Sequence, residues 1–246
     1  MTGAIAVTGA SRGIGAGIAI ELARRGYTVG CLSRSAKGPE DVEVAPELAA
    51  RMVNLRCDVT DEASIRAALS ALRESAGAVG GIVNNAGIHF DGKSADFATD
   101  DFAEIMTTNA TALFVACREV YPHLLANGGG MIVNIGSYFD KLGVKRNTAY
   151  CASKAAVGAI TRCLAVEWAK DGITVLDVAP GYIATNLNRE FLESEKVQAF
   201  LKSRIPVGRT STPEEVARLV ASLFDEKLSF LTGETIYFDG GQGMFH

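Results

Sequence analysis

The chain has 246 residues, of which 48% are hydrophobic and 21% are charged, and its formal net charge is -4. This length and composition fit one large α/β domain with a sizeable core. The acidic balance provides no basic patch for nucleic acid or an anionic membrane, and no apolar run approaches the ~18 residues of a membrane span. We therefore expect neither a nucleic-acid nor a membrane partner.

The cysteines indicate the redox environment. They lie mostly in apolar runs and never form a Cys-x-x-Cys pair, at positions Cys31, Cys57, Cys117, Cys151 and Cys163. This pattern favours reduced core residues over a disulfide or zinc framework. The start of the chain has no basic segment followed by an apolar region and a cleavage site, so no signal peptide is evident. We expect a cytoplasmic protein without a bound metal.

The first stretch predicts a strand, a glycine-rich turn and a helix. The apolar run from Ala4 to Val7 leads into the glycines between Gly9 and Gly15, and apolar residues then recur at helical spacing until Gly26. Such a turn presents backbone N–H groups and a helix N-terminus to a phosphate. Its position between strand and helix favours a dinucleotide site over an ordinary glycine-rich loop.

The end of the second strand, predicted from Tyr27 to Leu32, indicates which nucleotide binds. In an NAD site an acidic residue here would hold the ribose 2′-OH. That place falls to Ser33, with Arg34 beside it and Arg12 in the glycine turn. Two guanidiniums can hold a 2′-phosphate through charge-assisted hydrogen bonds, although both could also be solvated surface residues. Because no acid occupies the competing place, we expect NADP(H) to be preferred over NAD(H).

Strands and helices alternate through the rest of the chain. Further strands are predicted at 52–57, around 82–83, and at 132–135, 174–178 and 235–238. Helices are predicted after Thr60, from about Asp100, at 155–168 and from Thr212. We expect Thr60 to be the N-cap of the first of these, and Thr-Pro-Glu-Glu to form a capping box at the start of the last. Residues 36–50 read as irregular or weakly helical, and the amphipathic segment 186–205 is predicted to cover a site as a lid. No repeat or linker divides the chain. We therefore predict one α/β domain, 1–246, with a Rossmann-type doubly wound parallel sheet of about seven strands and helices on both faces.

The segment from Gly136 to Lys154 brings three reactive groups together. Ser137 ends a buried strand, and Tyr150 and Lys154 lie four residues apart at the start of a helix, so their side chains leave the same face. An unperturbed phenol has a pKa near ~10, which a nearby ammonium can lower until the phenol both gives and takes protons. Alone, the Tyr-x-x-x-Lys pair is more typical of an exposed helix face. Asn109, in a helix otherwise suited to burial, is by position a structural residue or part of a polar relay.

A set of short motifs occurs in a fixed order along the chain. Its residues are Thr8 to Gly15, Asp58, Val59, Asn84, Asn85, Ala86, Gly87, Asn109, Ser137, Tyr150, Ser153, Lys154, Pro180, Gly181 and Thr185. In this order and with these gaps, the motifs resemble those of the compact, single-domain short-chain dehydrogenases/reductases over nearly the whole chain.

The resemblance implies a catalytic group of Asn109, Ser137, Tyr150 and Lys154. Tyr150 would be the general acid in carbonyl reduction, and Ser137 would hold the substrate oxygen. Lys154 would hydrogen-bond the nicotinamide ribose and lower the pKa of Tyr150, and Asn109 would hold a water that links Lys154 to solvent. Besides Tyr150 and Lys154, the cofactor-binding positions that the resemblance implies are Gly9, Ser11, Arg12, Gly13, Ile14, Gly15, Ser33, Arg34, Asp58, Val59, Asn85, Ala86, Gly87, Pro180, Gly181, Ile183 and Thr185.

The substrate is less well defined than the reaction. The chain most resembles the 3-oxoacyl-acyl-carrier-protein reductases, but the places of their docking arginines fall at Gly128 and Asp171, which argues against a carrier protein. The expected pocket residues, each of which could equally be ordinary packing, are Tyr138, Phe139, Leu142 and Tyr182. We expect an NADPH-dependent reductase of an apolar or cyclic ketone. A 3-oxoacyl thioester reductase and an NAD-linked alcohol dehydrogenase are alternatives, and a cofactor-sensing protein is disfavoured because the catalytic set is complete.

The predicted helices around 100–125 and 151–169 are apolar over more of their circumference than one sheet face requires. Members of the family commonly pair these helices between subunits. The resemblance therefore implies a homotetramer.

Overall fold

The computed structural model describes residues 3–40, 42–185, 194–226 and 228–244. Within these residues, seven parallel strands form one sheet in the order β3-β2-β1-β4-β5-β6-β7. The strands are β1 (Ala4–Thr8), β2 (Val29–Ser33), β3 (Met52–Arg56), β4 (Val79–Asn84), β5 (Gly130–Ile135), β6 (Ile173–Pro180) and β7 (Thr235–Phe238). The predicted Rossmann-type doubly wound sheet is confirmed.

Helices cover both faces of the sheet. They are α1 (Gly13–Arg24), α2 (Pro46–Ala49), α3 (Glu62–Ala76), α4 (Thr99–Met106), α5 (Ala112–Ala126), α6 (Thr148–Trp168), α7 (Glu195–Arg204) and α8 (Pro213–Glu226), and a π-helical turn, Thr107–Thr111, joins α4 to α5. One apolar layer contains α3, α5 and α6, and the other contains α1 and α8. The strand order reverses between β1 and β4, and in such sheets ligands bind in the crevice outside the carboxyl ends of the strands.

The helix starts agree with the sequence in one case and differ in another. Glu215 N donates to Thr212 Oγ1 at 3.4 Å and Thr212 N donates to Glu215 Oε2 at 3.3 Å, which confirms the capping box of α8. The expected N-cap at Thr60 is wrong, since Asp61 caps α3 by accepting from Ala63 N at 2.9 Å. The hydroxyl of Thr60 is bonded to the preceding carboxylate of the turn instead.

The predicted lid lies partly outside the described residues, which omit 186–193. The remainder forms α7, in which Leu201 is buried and packs with Ile205 and Tyr182. In the part of the chain that is described, no helix is both long and apolar enough to cross a bilayer.

Candidate active site

The glycine turn between β1 and α1 has the shape that a pyrophosphate requires. Gly9 and Gly13 have positive φ angles of 65° and 56°. A Cβ on Gly15 would lie 2.2 Å from the carbonyl oxygen of Gly9, so no side chain fits there. Arg12, the N-cap residue, makes no side-chain hydrogen bond to the start of α1. The turn and the helix N-terminus therefore form a cradle suited to the phosphates of a dinucleotide.

Asn85 fastens this turn to the end of β4. Its backbone N–H donates to Thr8 Oγ1 at 2.9 Å, and its Nδ2 donates to the carbonyl oxygens of Thr8 and Gly9 at 3.0 and 3.3 Å. Ala86 N also donates to Thr8 Oγ1, at 3.1 Å. The side chain of Asn85, expected at the cofactor, is thus bonded within the protein, where it fixes the position of the cradle. Gly87 follows with little space, because a Cβ there would lie 3.1 Å from Asn109 Oδ1.

Ser33, Arg34 and Asp58 lie at the ends of β2 and β3. Ser33 Oγ donates to Lys37 O at 2.8 Å and accepts from Lys37 N at 3.2 Å, which closes the turn that contains the exposed Arg34. Asp58 Oδ1 accepts from the hydroxyl and backbone N–H of Thr60 at 2.7 and 3.0 Å. These bonds, and to a smaller degree the charge of Arg34, hold the pKa of Asp58 below its usual value.

An acid near this turn was not anticipated from the sequence. Glu40 N donates to Ser11 O at 2.7 Å, and the Glu40 carboxylate lies 3.3 Å from both Ser35 Oγ and Lys37 Nζ. The surrounding irregular segment has no periodicity that could have predicted this approach. The Glu40 carboxylate is thus paired with Lys37, and Arg12 is exposed.

Ser137, Tyr150 and Lys154 come together beyond the carboxyl end of β5. Lys154, which is 6% exposed, donates from Nζ to Ile135 O at 2.8 Å, and this Nζ lies 5.7 Å from the centre of the Tyr150 ring. Ser137 Oγ accepts from Phe139 N at 3.2 Å and is hydrogen-bonded to the Tyr150 hydroxyl. The strand, the turn and the first two turns of α6 position all three groups.

The pKa values follow mainly from burial. Burial raises the pKa of Tyr150 to about 12, and the hydrogen bond with Ser137 acts in the opposite direction. Burial lowers the pKa of Lys154 to about 8, and the charge of Asp177 acts to raise it. The expected net lowering of the Tyr150 pKa is therefore not seen in the protein alone, because the loss of hydration raises this pKa more than the hydrogen bond with Ser137 lowers it. At neutral pH Tyr150 carries its proton, as a general acid must.

Asn109 lies in the π-helical turn and is 1% exposed. Its Oδ1 accepts from Ile88 N at 2.8 Å, and its Nδ2 donates to Ile88 O at 2.9 Å and to Ser153 Oγ at 3.1 Å. Ser153 Oγ donates in turn to Tyr150 O at 2.8 Å. Both amide hydrogens of Asn109 are used, so a relay water would bind to another atom of this residue. The side chain ties the loop after β4 to the helix that carries Tyr150.

The predicted pocket residues divide into two groups. Tyr138 is 4% exposed, and its ring centre lies 5.9 Å from that of Tyr182, so this pair is largely packing. Burial strongly raises the pKa of Tyr138. Phe139 has its ring centre 5.9 Å from that of Tyr150, and Leu142 is half-buried just beyond the same turn. Phe139 is therefore the predicted pocket residue in ring contact with Tyr150.

His89 and Asn147 contact the site and were missed from the sequence. The ring centre of His89 lies 4.7 Å from that of Tyr150, and His89 Nε2 lies 2.5 Å from Asn147 Oδ1. An ion pair of 2.8 Å between Asp91 and Arg146 joins the same two loops. The loops are far apart in the chain, so no local pattern links them. The sequence feature that could have indicated His89 is its position two residues after the Asn-Asn-Ala-Gly motif.

The chain beyond β6 returns to the glycine turn. Pro180 is the last residue of β6, Gly181 follows it, and a Cβ on Gly13 would lie 3.6 Å from Thr185 Cγ2. Thr185 thus lies beside the glycine turn, and its role in cofactor binding stays a prediction. Three further predicted positions pack against the apolar layers of the sheet, namely Ile14, Val59 and Ile183.

Comparison with known proteins gives matches over nearly the full chain. A family model described as enoyl-(acyl carrier protein) reductase matches residues 9–242. The 3-oxoacyl-[acyl-carrier-protein] reductase of Vibrio harveyi is 35% identical over 238 residues, which are 97% of this chain and 96% of that protein. The 2-(R)-hydroxypropyl-CoM dehydrogenase of Xanthobacter autotrophicus is 34% identical over 239 residues, with coverages of 95% and 96%.

Solved structures agree with the sequence matches. A gluconate 5-dehydrogenase from Burkholderia cenocepacia J2315 in complex with NADP and tartrate has a TM-score of 0.88 at 30% identity, and the alignment covers 100% of this chain and 97% of that one. A short-chain type dehydrogenase/reductase from Mycobacterium marinum has a TM-score of 0.89 at 33% identity, with coverages of 98% and 96%. The chain therefore belongs to the short-chain dehydrogenase/reductase family and is a nicotinamide-dependent oxidoreductase that acts on a CH–OH group.

Proposed function

We propose that the chain is an NADPH-dependent carbonyl reductase that transfers hydride between NADP(H) and a ketone or secondary alcohol. The observation that carries this proposal is the convergence of the Tyr150 and Ser137 hydroxyls with the Lys154 ammonium, which lies 5.7 Å from the Tyr150 ring centre. Two hydroxyls and one cation at this spacing can hold a carbonyl oxygen and give it a proton.

Each residue has a separate task in ketone reduction. When bound, the nicotinamide supplies the hydride. The Ser137 hydroxyl donates a hydrogen bond to the substrate oxygen, and Tyr150 gives its proton to that oxygen. Since the pKa of Tyr150 is about 12 in the protein alone, the positive charge of Lys154 is needed to stabilise the phenolate as the proton leaves. In the oxidative direction the phenolate takes the proton of the alcohol.

The preference for NADP over NAD rests on charge. Arg12 and Arg34 are exposed near the cradle, and Ser33 occupies the place where an acid would hold a free 2′-OH. The Glu40 carboxylate, near the same turn, is paired with Lys37. The NADP complex of the 30% identical gluconate 5-dehydrogenase supports the same nucleotide.

The ring contacts of Tyr150 indicate the class of ketone. Phe139 gives the site one apolar wall, and His89 with Asn147 gives it a second wall that can form hydrogen bonds. We propose a ketone with an apolar body that carries a polar group on the side of His89.

Reduction of a 3-oxoacyl thioester is the second candidate, which the 35% identical Vibrio harveyi reductase favours. At the two places where carrier-docking arginines were expected, this chain has Gly128 and Asp171. The Asp171 side chain accepts from the Tyr121 hydroxyl at 2.9 Å, so an acidic residue stands where such an arginine would be. We therefore propose that a thioester substrate would be free rather than bound to an acidic carrier protein.

Tyr150→Phe tests the mechanism. Proton transfer by a positioned acid contributes about 10²–10⁴-fold, so turnover of a reactive ketone should fall by that factor. NADPH binding, measured by fluorescence titration, should stay unchanged. Tyr27→Phe is the matched control, since it removes one hydroxyl that bonds to Asp225, remote from the site. A Tyr150→Phe enzyme with most of the original turnover would show that the mechanism is wrong.

A substrate panel with NADPH and NADH in parallel tests the reaction itself. It should include cyclic ketones, short 3-oxo acids, and one 3-oxoacyl group presented both on CoA and on a carrier protein. Binding of NADPH without oxidation by any of these ketones would favour a cofactor-sensing protein instead.

We also propose a homotetramer. Four large apolar side chains are exposed on the described helices predicted to pair, namely Phe102 on α4, Phe114 and Leu125 on α5 and Val166 on α6, with Val166 83% exposed. Exposed apolar side chains grouped on adjoining helices are typical of subunit interfaces.

All five cysteines carry free thiols, in keeping with the cytoplasmic location that stays a prediction.

A further inference from the structure

Two neighbouring acids lie next to the segment from Ile135 to Ser137, with Asp177 buried and Asp140 half-buried. Asp177 of β6 is 0% exposed, and its Oδ2 accepts from Thr235 Oγ1 at 3.1 Å. Asp140, in the turn after Ser137, accepts on Oδ2 from the Tyr237 hydroxyl at 2.8 Å. The Oδ1 atoms of both carboxylates are buried without a hydrogen-bond partner among the described residues. A strand interior seldom contains such a group, so its position needs an explanation.

The Asp177 carboxylate occupies the space that a side chain at Gly136 would fill. A Cβ on Gly136 would lie 2.4 Å from Asp177 Oδ1, so the carboxylate is packed directly against the backbone of this glycine. Gly136 connects Ile135, whose carbonyl oxygen accepts from Lys154 Nζ at 2.8 Å, to Ser137. The carboxylate therefore lies behind the short segment that positions both the ammonium and the serine hydroxyl.

The titratable groups around Asp177 come from three elements. Lys154 belongs to α6, Asp140 to the turn after β5 and Tyr237 to β7. Arg162 of α6 also faces these acids, since a Cβ on the neighbouring helical glycine would lie 3.3 Å from its Nη1 and 3.9 Å from Asp140 Oδ2. Of these groups, Lys154 acts to lower the pKa of Asp177 and Asp140 acts to raise it.

The two buried groups are both charged over a limited pH range. Burial raises the pKa of Asp177 to about 6, against the hydrogen bond from Thr235 and the charge of Lys154. Burial lowers the pKa of Lys154 to about 8, against the charge of Asp177. Asp177 is thus ionised above about 6 and Lys154 is protonated below about 8, so each stabilises the charged form of the other between these values.

We propose that Asp177 is a positioning residue whose carboxylate, packed behind Gly136, keeps Lys154 protonated on the carbonyl of Ile135. Asp177 does not touch the substrate and acts through Lys154. The predicted effect of Asp177 on turnover rests on the proposed function, in which Lys154 stabilises the Tyr150 phenolate. The predicted effect of Asp177 on the protonation of Lys154 is independent of that function.

Asp177→Asn tests the inference without any turnover. The amide has the shape of the carboxylate and can still accept from Thr235, so the variant should fold. The proton affinity of Lys154 is measured by NMR of the full-length protein with ¹³C-labelled lysine, and Lys154→Arg identifies the signal by its loss. The midpoint of Lys154 should fall by about 1 pH unit in Asp177→Asn, a tenfold loss of proton affinity. An unchanged midpoint would overturn the proposal.

Two further variants guard against a merely structural effect. Asp140→Asn neutralises the neighbouring carboxylate but should leave the Lys154 midpoint near its original value. An equal shift in that variant would overturn the specific role of Asp177. Thr235→Val keeps the carboxylate and removes its hydrogen-bond donor, so it should raise the pKa of Asp177 without lowering the Lys154 midpoint. A fall like that of Asp177→Asn would assign the effect to packing and overturn the proposal.

The pH profile of kcat links the inference to the reaction. In Asp177→Asn the loss of activity at alkaline pH should begin about 1 pH unit lower than in the unaltered enzyme, as expected for easier deprotonation of Lys154. A profile with an unchanged alkaline limb would count against the catalytic consequence. Complete lack of ketone reduction by the unaltered chain would contradict the proposed function instead, and the NMR titration would still decide the role of Asp177.

Discussion

Gly15→Ala is expected to open the glycine turn and weaken nucleotide binding. The added Cβ would lie 2.2 Å from Gly9 O and 2.5 Å from Asn85 Nδ2, and both distances are far below ordinary contact. The turn must therefore move by roughly 1 Å, and overpacking of this kind costs about 1–3 kcal/mol. The movement also strains the bonds of Asn85 Nδ2 to Thr8 O and Gly9 O, and loss of one would add about 0.5–1.5 kcal/mol.

The expected loss of stability is thus about 2–4 kcal/mol, or roughly 5–15 °C in Tm for a chain of this size. Affinity for NADPH should fall at least about tenfold, which corresponds to ~1.4 kcal/mol. Thermal unfolding by circular dichroism and fluorescence titration with NADPH measure the two effects. Gly143→Ala is the control, because a Cβ there meets nothing within 4 Å. A Gly15→Ala protein with unchanged Tm and affinity would refute the close approach as the reason for this glycine.

Three further changes test other parts of the structure. Arg34→Asp should shift the ratio of kcat/KM for NADPH over NADH toward NADH by at least about tenfold, since a carboxylate repels the 2′-phosphate. An equal shift in Arg56→Asp, on the neighbouring strand, would deny Arg34 a specific role. Val166→Glu should reduce the mass measured by light scattering, because an exposed apolar side chain of α6 becomes charged in the proposed interface; a monomeric mass before substitution would contradict the tetramer. Gly81→Ala should lower the free energy of unfolding by about 1–3 kcal/mol, because its Cβ would lie 2.5 Å from Phe224 Cε1; a urea midpoint equal to that of the unaltered chain would contradict this packing.

The fold was predictable because its signals are local. Buried parallel strands read as short apolar runs, and the capping box at Thr212 marks a helix start within four residues. The error at Thr60 has an equally local cause. Thr60 and Asp61 are both good N-caps, and the hydroxyl of Thr60 is bonded to Asp58 instead of the helix. Helix boundaries are decided by such competing hydrogen bonds, which composition does not reveal.

The placement of residues in the candidate site was predictable where it depends on local sequence patterns, for the same reason as the fold. The spacing of Tyr150 and Lys154 on one helix places both groups without any knowledge of the rest of the chain. The net direction of the Tyr150 pKa was not predictable, because it depends on how completely the surrounding elements exclude water. Asn109 shows a similar limit, since the sequence places it near the site but does not reveal the hydrogen bonds to Ile88 O and Ser153 Oγ that occupy its amide hydrogens.

The side of the site that faces the substrate depends on contacts between distant segments. His89 reaches Asn147, and Ser94 Oγ lies 2.7 Å from Thr148 Oγ1, so the loop after β4 is held against the start of the helix that carries Tyr150. A change in one loop must therefore alter the wall that the other loop presents beside the phenol. In its proposed role, Asp177 acts on Lys154 through its charge rather than through substrate contact. Substitutions in these two loops should thus change which ketone is reduced, whereas substitutions around Asp177 should change the pH at which any ketone is reduced.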